Sequence, residues 1–240
     1  GTIQSDMLPN LAAKGKQKLG IKNPYCVAYD ILFGCPSWVQ ALIQANYYIK
    51  SGDVKRVLVI GADTVSRMTD PHDIDGMLFA DGGGAAILEA VEYDDGEEPT
   101  GVLSHVTVSD CVGEADYLKM GDSLRTETEG QFIRMYGRGV FRYAVTKVPT
   151  AMNDCLTKAG LKLEDVDKFV MHQANMKMNK IILKRLYEQN GYEDYPEEMM
   201  PLVVHKLGNS SAATVPTVLD LIMKGVMDGQ TIKKGDIIVF

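Results

Sequence analysis

Near its start the chain alternates between apolar runs of strand length and of helix length. The run over 26–35 (CVAYDILFGC) is apolar and rich in β-forming residues, which predicts a buried strand. From Pro36 to Lys50, apolar residues fall on every side of a helical wheel. This predicts a buried helix, and a proline suits its first turn. The run over 55–63 (KRVLVIGAD) predicts a second buried strand. Strand, helix and strand in this order predict a βαβ unit with a parallel sheet.

Later segments show the same two patterns, apolar residues at helical spacing and short apolar runs of strand length. From Phe132 to Ala159 apolar residues recur at helical spacing, and Gly160 follows as a residue that ends the helix. VDKFVMH predicts a short strand that ends at His172, and MKMNKIILKRLYEQNG predicts an amphipathic helix. DGGGAAILEA has three glycines at 82–84 but no Lys-Ser/Thr of a phosphate loop, so it predicts a turn where backbones approach closely.

The closing segment repeats the architecture of an earlier one. GCPSWVQALIQANYYIKSGDVKRVLVIG and GNSSAATVPTVLDLIMKG…TIKKGDIIVF each combine a Gly-led loop, a buried helix, a Gly turn with lysines and an apolar strand. Cys35 in the first segment aligns with Asn209 in the second. The repeat predicts two related halves, which we place at residues 1–128 and 129–240, each presenting a polar residue at a helix N-terminus.

Composition and charge narrow the class of protein. Of the 240 residues, 45% are apolar and 24% are charged, which suits a globular protein with a sizeable core. No window of about 18 uninterrupted apolar residues occurs and no signal peptide opens the chain, so we expect no membrane partner. The net charge of −7 argues against a general nucleic-acid binder, which needs a strong basic field.

The cysteines and the chain ends add two expectations. Cys26, Cys35, Cys111 and Cys155 form no CxxC pair, which predicts free thiols in a reducing cytoplasm. The chain opens at GTIQSD without a methionine and stops at GDIIVF, an apolar run of strand type. We therefore expect a segment of a longer protein.

Cys35 stands at the start of the predicted helix, where two interpretations are open. One is packing, because free cysteine is among the most buried residue types. The other is a nucleophile, because unpaired N–H groups and the positive end of a helix dipole stabilise a thiolate and lower its pKa. The same N–H groups can hold the oxyanion that forms when a thioester is attacked. The other three cysteines lack this placement and are interpreted as structural.

Two further polar residues follow apolar runs. His172 ends a predicted strand and precedes Gln, Ala and Asn, whereas Asn209 lies in LGNSS. Each also fits a structural interpretation, as a core-edge histidine and as a capping or turn residue. No metal site is predicted, because HQANM is not HExxH and the histidines and cysteines share no ligand spacing.

The order of these residues and their surroundings resemble one family. Cys35, HQAN over 172–175 and GNSSA over 208–212 occur as in the thiolase superfamily, and most closely resemble the β-ketoacyl-acyl-carrier-protein synthase III family. SGDVKRVLVIGAD, DGGGAAIL and GNSSAATVPTVLD are similar to family stretches, so the resemblance covers nearly the whole chain. It implies an α/β fold, the five-layer αβαβα thiolase fold of two related halves. The first strands and the last strand and loop are expected to be absent from this chain.

The resemblance implies a catalytic triad of Cys35, His172 and Asn209 and a decarboxylative Claisen condensation. An acyl-CoA acylates Cys35, malonyl-carrier protein loses CO₂, and the resulting carbanion attacks the acyl-cysteine to give a β-ketoacyl-carrier product. This reaction initiates fatty acid biosynthesis and needs no cofactor beyond these substrates. Neutral His172 and the Asn209 amide can both donate to the malonyl thioester oxygen, and one such donor contributes ~3–4 kcal/mol.

The resemblance also implies partner surfaces. Lys177, Lys180 and Lys184 share one face of the helix after HQAN, with Arg185 beside them. This face is either simply solvated or a docking patch for the acidic acyl carrier protein. By resemblance Asn175 lines the CoA or pantetheine channel, and the protein is a cytoplasmic homodimer.

Alternatives to a synthase III are also open. CPSW replaces the more usual small pair after the cysteine, so that Pro36, Ser37 and Trp38 reshape the acyl pocket. This favours a specialised condensing or acyl-transfer enzyme of secondary metabolism with an unusual starter. A non-catalytic partner subunit is a further alternative. A cysteine hydrolase is the most distant one, because it needs a base to activate water, often with an orienting acid, and no obvious acid accompanies this pair.

Overall fold

Helices and short strand pairs alternate along the chain. The structure is a computed structural model that describes residues 1–2, 8–94, 96 and 100–240. Its helices are α1 (Leu11–Lys18), α2 (Ser37–Lys50), α3 (Gly137–Ala159), α4 (Met176–Gln189), α5 (Val204–Leu207) and α6 (Thr214–Met223). Its strands are β1 (Arg56–Thr64), β2 (Asp81–Glu89), β3 (Leu118–Gly121), β4 (Phe132–Met135), β5 (Lys168–Phe169) and β6 (Ile238–Val239). One 3₁₀ turn, Ser211–Ala213, leads into α6.

β1 and β2 form the longest strand pair, with Arg56 opposite Glu89 and Thr64 opposite Asp81. Side chains alternate between the two faces of a strand. Val59 is therefore buried on the face that meets α2 and α6, whereas Leu58 is exposed on the other face. The predicted strand over 55–63 is confirmed as β1, but the prediction that it is buried is wrong for one of its two faces.

Two apolar clusters make up the core of the described residues. One joins β1 to α2 and α6 and includes Trp38, Val59 and Val218. The other joins α3, α4 and β5, and its Phe169 and Leu183 are fully buried. The predicted helix over 36–50 is confirmed as α2, but it begins at Ser37 with Pro36 as its N-cap, and it is not buried on every side. Within the described part of the chain, no helix has the length and apolar character needed to cross a membrane.

The predicted strand over 26–35 is wrong. No ladder forms along this segment within the described residues. The Asp30 carboxylate instead accepts hydrogen bonds from the N–H groups of Leu11 (3.0 Å) and Ala12 (2.8 Å) at the start of α1. An apolar run needs a partner strand to become part of a sheet, and composition does not supply one. The predicted βαβ unit is therefore wrong as well, and β1 pairs with β2 antiparallel rather than parallel.

The predicted helix over 132–159 is correct only from Gly137 onward. The preceding residues form β4, which pairs antiparallel with β3 so that Met135 lies opposite Leu118. Strand pairing here outweighs the helical spacing of the sequence. Gly160 ends α3 in the left-handed conformation (φ 73°), as predicted. The strand predicted to end at His172 is β5, a two-residue parallel pairing with β6.

The glycines at 82–84 lie inside β2 and not in the predicted turn. The predicted close approach of backbones is confirmed. A Cβ built on Gly82 would lie 2.8 Å from the Cβ of Ser210, and one on Gly84 would lie 2.9 Å from the Cβ of Pro216. Only glycine therefore lets the Ser211–Ala213 turn and the first turn of α6 rest on this strand.

A buried carboxylate ties the β3–β4 hairpin to the loop after β1. Asp70 is 1% exposed, and Arg134 donates to it at 2.7 Å. Burial alone would raise the pKa of this carboxyl, because it disfavours the charged form. Hydrogen bonds from the N–H groups of His72 and Leu124, from Arg134 and from the Ser123 hydroxyl outweigh burial and lower the pKa of Asp70 to about 2.

Replacing Gly84 by alanine is expected to lower the free energy of unfolding by about 1–3 kcal/mol, because the added methyl group meets Pro216. Gly83→Ala is the matched control, since its nearest neighbour would be the Ala62 Cβ at 4.0 Å. There we expect no loss, or a gain of up to ~1 kcal/mol. Urea denaturation followed by circular dichroism measures both. Equal midpoints for the two variants would contradict the close packing of α6 on β2.

Asp70→Asn is expected to destabilise the protein at neutral pH, and the difference from wild type is expected to shrink in acid. The pKa of Asp70 is lowered in the folded state, so its charge stabilises the fold above its ordinary pKa of 3.8. That contribution is lost as the pH falls toward 2. Urea midpoints measured between pH 7 and pH 2 test this. Glu127→Gln, at an exposed ion pair, is the control, and an equally pH-dependent loss in that variant would contradict the assignment.

Candidate active site

Cys35 lies between Gly34 and Pro36, immediately before α2. Gly34 adopts a left-handed conformation (φ 63°), and its carbonyl accepts the N–H of Ser37 at 3.1 Å. This turn places the partly buried thiol at the N-terminal end of a fourteen-residue helix. The positive end of the helix dipole there favours negative charge on the sulfur.

Asn209 and Ser211 lie on a turn that hydrogen bonds hold from two directions. The Asn209 Oδ1 accepts the Ser211 N–H at 2.9 Å, and the Asp63 Oδ2 accepts the Ala212 N–H at 3.1 Å. Ser211 takes a φ of 52°, which is uncommon for a residue other than glycine. The strain indicates that the turn is held by its surroundings, as strained residues at functional sites often are.

His172 follows β5 and is held at both its ring and its backbone. Its Nδ1 lies 2.6 Å from the Thr214 Oγ1, and its carbonyl accepts a hydrogen bond from Asn179 Nδ2 at 2.8 Å. The ring is thereby held in place, and His172 lowers the pKa of the Cys35 thiol.

Gln173 connects the loops that carry His172 and Asn209. Its side chain is fully buried, and its Nε2 donates to the carbonyls of Met171 (3.0 Å) and Pro201 (3.3 Å). Its Oε1 accepts the N–H of Val203 at 3.0 Å, just before α5. One amide thus uses donor and acceptor together, and it fixes the spacing of the two loops.

The three predicted residues therefore meet around Ser211. The Ser211 Oγ donates toward the Cys35 Sγ at 3.5 Å, while the Ser211 N–H is bonded to Asn209. Burial alone would raise the pKa of the Cys35 thiol. The charge and hydrogen bond of His172 and the hydrogen bond of Ser211 act in the opposite direction, and the net pKa is lowered although Asp63 opposes them. The geometry suits a thiolate nucleophile.

The sequence of this chain is similar to those of known proteins. The model of the 3-oxoacyl-[acyl-carrier-protein] synthase III family matches residues 29–110, and the model of its C-terminal region matches residues 156–240. A β-ketoacyl-[acyl-carrier-protein] synthase III of Ruegeria pomeroyi is 38% identical over 232 residues, which are 96% of this chain and 67% of the relative. The chain belongs to this family.

Solved structures agree with the synthase III assignment. The synthase III of Thermus thermophilus is 32% identical with a TM-score of 0.80, and the match covers 98% of this chain and 68% of that one. A priming β-ketosynthase from a polyketide pathway is 28% identical with a TM-score of 0.71, covering 90% of this chain and 62% of that one. The predicted thiolase-like α/β fold is therefore the fold of this synthase III family member.

The other residues predicted for the site lie away from Cys35 or serve the fold. Asn175 caps α4 by accepting the Met178 N–H at 2.8 Å.

The three lysines predicted for docking, Lys177, Lys180 and Lys184, are all exposed on α4, and Lys180 pairs with Glu197 at 3.3 Å. Arg185 donates to the Val145 carbonyl of α3 at 2.9 Å, so its guanidinium binds the neighbouring helix. Trp38 is buried in the core cluster that joins β1 to α2 and α6.

Four residues around the candidate site were missed by sequence reasoning: Asp63, Gln173, Ser211 and Thr214. Each adjoins a predicted motif, since Asp63 ends the KRVLVIGAD run and Gln173 lies within HQAN. Ser211 and Thr214 follow Asn209 in GNSSAAT. The available signal was the presence of polar residues at the ends of apolar runs, but pairing them required the fold.

His172→Ala is expected to raise the pKa of Cys35, since the charge and hydrogen bond that favour the thiolate are lost while burial remains. The thiolate fraction at pH 7 then falls, and we expect alkylation of Cys35 by iodoacetamide to slow roughly 10-fold. Peptide mass spectrometry follows the rate, with the exposed Cys111 as internal reference. An unchanged ratio of the two rates would contradict the coupling of His172 to the thiol.

Proposed function

We propose that this chain is the catalytic part of a β-ketoacyl-acyl-carrier-protein synthase III, an acyltransferase that initiates fatty acid biosynthesis. Cys35 is its nucleophile, and His172 and Asn209 complete the catalytic triad. The observation that carries this proposal is the meeting of these three residues around Ser211 in a member of the family. Acyl-CoA and malonyl-acyl carrier protein are the proposed substrates, and no cofactor takes part.

In the first half-reaction the Cys35 thiolate attacks the thioester of an acyl-CoA. The product is again a thioester, so little free energy is lost and the acyl-enzyme persists until the second substrate binds. Cys35 precedes α2, and free N–H groups in the first turn of that helix can stabilise the oxyanion of the tetrahedral intermediate. The CoA thiolate leaves and takes up a proton.

In the second half-reaction malonyl-carrier protein loses CO₂ and negative charge develops on its thioester oxygen. Asn209 suits the role of a donor there. Its Oδ1 is used by the Ser211 N–H, which directs its Nδ2 away from that bond, and the described residues supply no acceptor for this Nδ2. His172 is the second donor. The carbanion then attacks the acyl group on Cys35 and expels the thiolate, which restores the enzyme.

Lys177 and Lys184 on α4 are proposed to receive the acidic carrier protein. Both are exposed, and they are local positive charges on a chain with a net charge of −7. Such charges mainly accelerate encounter and set the register of a complex. Lys180 contributes less, because it already pairs with Glu197. Arg185 contributes to packing on α3 more than to docking.

The remaining expectations belong to the same proposal. The protein acts as a homodimer of chains with related halves at 1–128 and 129–240, and Asn175 lines the channel for CoA or pantetheine. The alternative of a specialised enzyme with an unusual starter draws support from the similarity to the priming β-ketosynthase. The burial of Trp38 weighs against its reshaping of the acyl pocket.

Incubating the full-length protein with a panel of acyl-CoAs is expected to add the mass of one acyl group, read by intact-protein mass spectrometry. Cys35→Ala abolishes the gain, because the nucleophile is lost. Cys155→Ala is the matched control and keeps it. Acylation by short straight-chain donors supports a synthase III, and acylation only by other donors supports the specialised enzyme.

Two outcomes would overturn the proposed function. No mass gain with any donor would favour a non-catalytic partner subunit. A label that disappears by hydrolysis in the absence of carrier protein would favour a cysteine hydrolase.

Charge reversal at Lys177 and Lys184 together is expected to raise the KM for malonyl-carrier protein roughly 10-fold, since two exposed attractive pairs become repulsive. Acylation by acyl-CoA is expected to stay unchanged. The effect weakens in high salt, which screens exposed charges. Lys55→Glu, an exposed lysine before β1, is the control. An equal rise in KM for Lys55→Glu, or none for the double variant, would contradict docking on α4.

A further inference from the structure

The Ser211 hydroxyl contacts both the Cys35 thiol and a second hydroxyl, that of Thr2. The Ser211 Oγ lies 3.5 Å from the Cys35 Sγ and 2.5 Å from the Thr2 Oγ1. Ser211 is 2% exposed, and Thr2 is partly buried. The two hydroxyl-bearing residues are 209 positions apart in the sequence, so the fold alone brings them together.

The Asp63 carboxylate holds the backbones of both hydroxyl-bearing segments. Its Oδ1 accepts the Thr2 N–H at 2.6 Å, and its Oδ2 accepts the Ala212 N–H at 3.1 Å, next to Ser211. Gly1 packs closely against the same carboxylate, because a Cβ built on Gly1 would lie 2.7 Å from the Asp63 Oδ1. One carboxylate therefore fixes the position of Thr2 relative to the turn that carries Ser211.

The single proton of each hydroxyl limits how the three groups can be bonded. A thiolate only accepts hydrogen bonds, whereas a serine or threonine hydroxyl donates one and also accepts. If Ser211 donated to Thr2, no proton of Ser211 would be left for the thiolate. If Thr2 donates to Ser211, the Ser211 proton points at the sulfur and both contacts are hydrogen bonds. This arrangement satisfies all three groups, as buried polar groups generally require.

We propose that Thr2 is a positioning residue that donates its hydroxyl proton to Ser211 and so directs the Ser211 proton to the Cys35 thiolate. This inference rests on the proposed function and deepens it, because it adds a chain of two donors to the nucleophile. Hydrogen bonds to ionised groups are the stronger ones, and donors in series strengthen one another. A thioester sulfur carries no charge, so the chain stabilises the thiolate more than the acyl-enzyme.

This preference favours the step that releases the sulfur. In the second half-reaction the carbanion bonds to the acyl carbon, the carbon–sulfur bond to Cys35 breaks, and the electron pair stays on the sulfur. The Ser211 hydroxyl donates to this developing charge, and interactions that strengthen in the transition state lower the barrier. Both hydroxyls keep their protons throughout. The one proton that the condensation consumes comes from solvent and goes to the CoA thiolate released in the first half-reaction.

The pH dependence of Cys35 alkylation by iodoacetamide tests the chain in the full-length protein without any substrate. Ser211→Ala removes the donor to the sulfur but keeps the backbone N–H that Asn209 accepts. We expect its rate profile to move to higher pH. Below both midpoints the rate is expected to fall roughly 10-fold, as for one lost hydrogen bond to a charged group. The limiting rate at high pH is expected to remain, since the thiolate is then fully formed.

Variants of Thr2 test the direction of the hydrogen bond between the two hydroxyls. If Thr2 donates to Ser211, Thr2→Val weakens the chain. We then expect a smaller move to higher pH than in Ser211→Ala, with a rate roughly 3-fold lower below both midpoints. If Thr2 instead accepted the Ser211 proton, it would compete with the sulfur, and Thr2→Val would move the profile to lower pH. That move, or none, would overturn the proposal. Thr2→Ser is the matched control and keeps the wild-type profile.

The shape of the profile separates this role from a structural one. Among the described residues, His172, Asp63 and the Gly1 amino group are the titratable groups that interact with the thiol, and the variants leave all three in place. A lower rate at every pH with an unchanged midpoint would therefore overturn the proposal. If Ser211→Ala does not fold, Ser211→Gly takes its place, because glycine readily adopts the φ of 52° found there.

Discharge of the acyl-enzyme by malonyl-carrier protein in a single turnover measures the catalytic consequence. With saturating carrier protein, we expect Ser211→Ala to slow the discharge roughly 10-fold, with KM nearly unchanged. An unchanged rate would overturn the role in releasing the sulfur. The alkylation profiles need neither acyl-CoA nor carrier protein. Shifted profiles in a protein that no acyl-CoA acylates would disprove the condensing function and leave the donor chain standing, whereas unshifted profiles in an active enzyme would do the reverse.

Discussion

The site depends on one constraint, the hydrogen-bonded hold on the turn from Asn209 to Ala212. Asp63 and Asn209 each take one backbone N–H of that turn, at 3.1 Å and 2.9 Å, and Ser211 is held in the left-handed region between them. From this position Ser211 directs its hydroxyl to Cys35 and its carbonyl to Thr214. If the turn relaxed, the thiol would lose the Ser211 hydroxyl, and Thr214, which contacts His172, would lose the Ser211 carbonyl.

The glycines of β2 leave the space that this turn needs to pack against the strand. A methyl group at Gly82 would overlap Ser210, and one at Gly84 would overlap Pro216. At Gly61 of β1 it would overlap the Ala212 carbonyl oxygen. The strand pair thus presents a bare backbone against which the turn rests, and that contact brings the second half of the chain to Cys35.

The three residues that the sequence singled out lie close together in the structure. Each stands where an apolar run meets a loop, and family resemblance ordered them. Sequence reasoning also placed β1, α4 and the end of α3 at Gly160. It failed where pairing between distant segments decides structure. The run over 26–35 lacks a partner strand among the described residues, and Phe132 starts a strand only because β3 lies beside it. Gln173 and Thr214 were missed because their partners are distant in sequence or become apparent only from side-chain geometry.

Asp63 has two opposing effects at the site, because it holds the turn but also disfavours ionisation of the Cys35 thiol. A carboxylate near a thiolate opposes ionisation of the sulfur, and Asp63 acts on Cys35 in that direction. Its oxygens are occupied by backbone N–H groups, including that of Ala212, and these bonds reduce the charge that the sulfur experiences. His172 and Ser211 then outweigh it, and the pKa of Cys35 falls in spite of burial. Asp63 therefore holds the turn, and the contacts of His172 and Ser211 with the thiol outweigh its electrostatic effect on the sulfur.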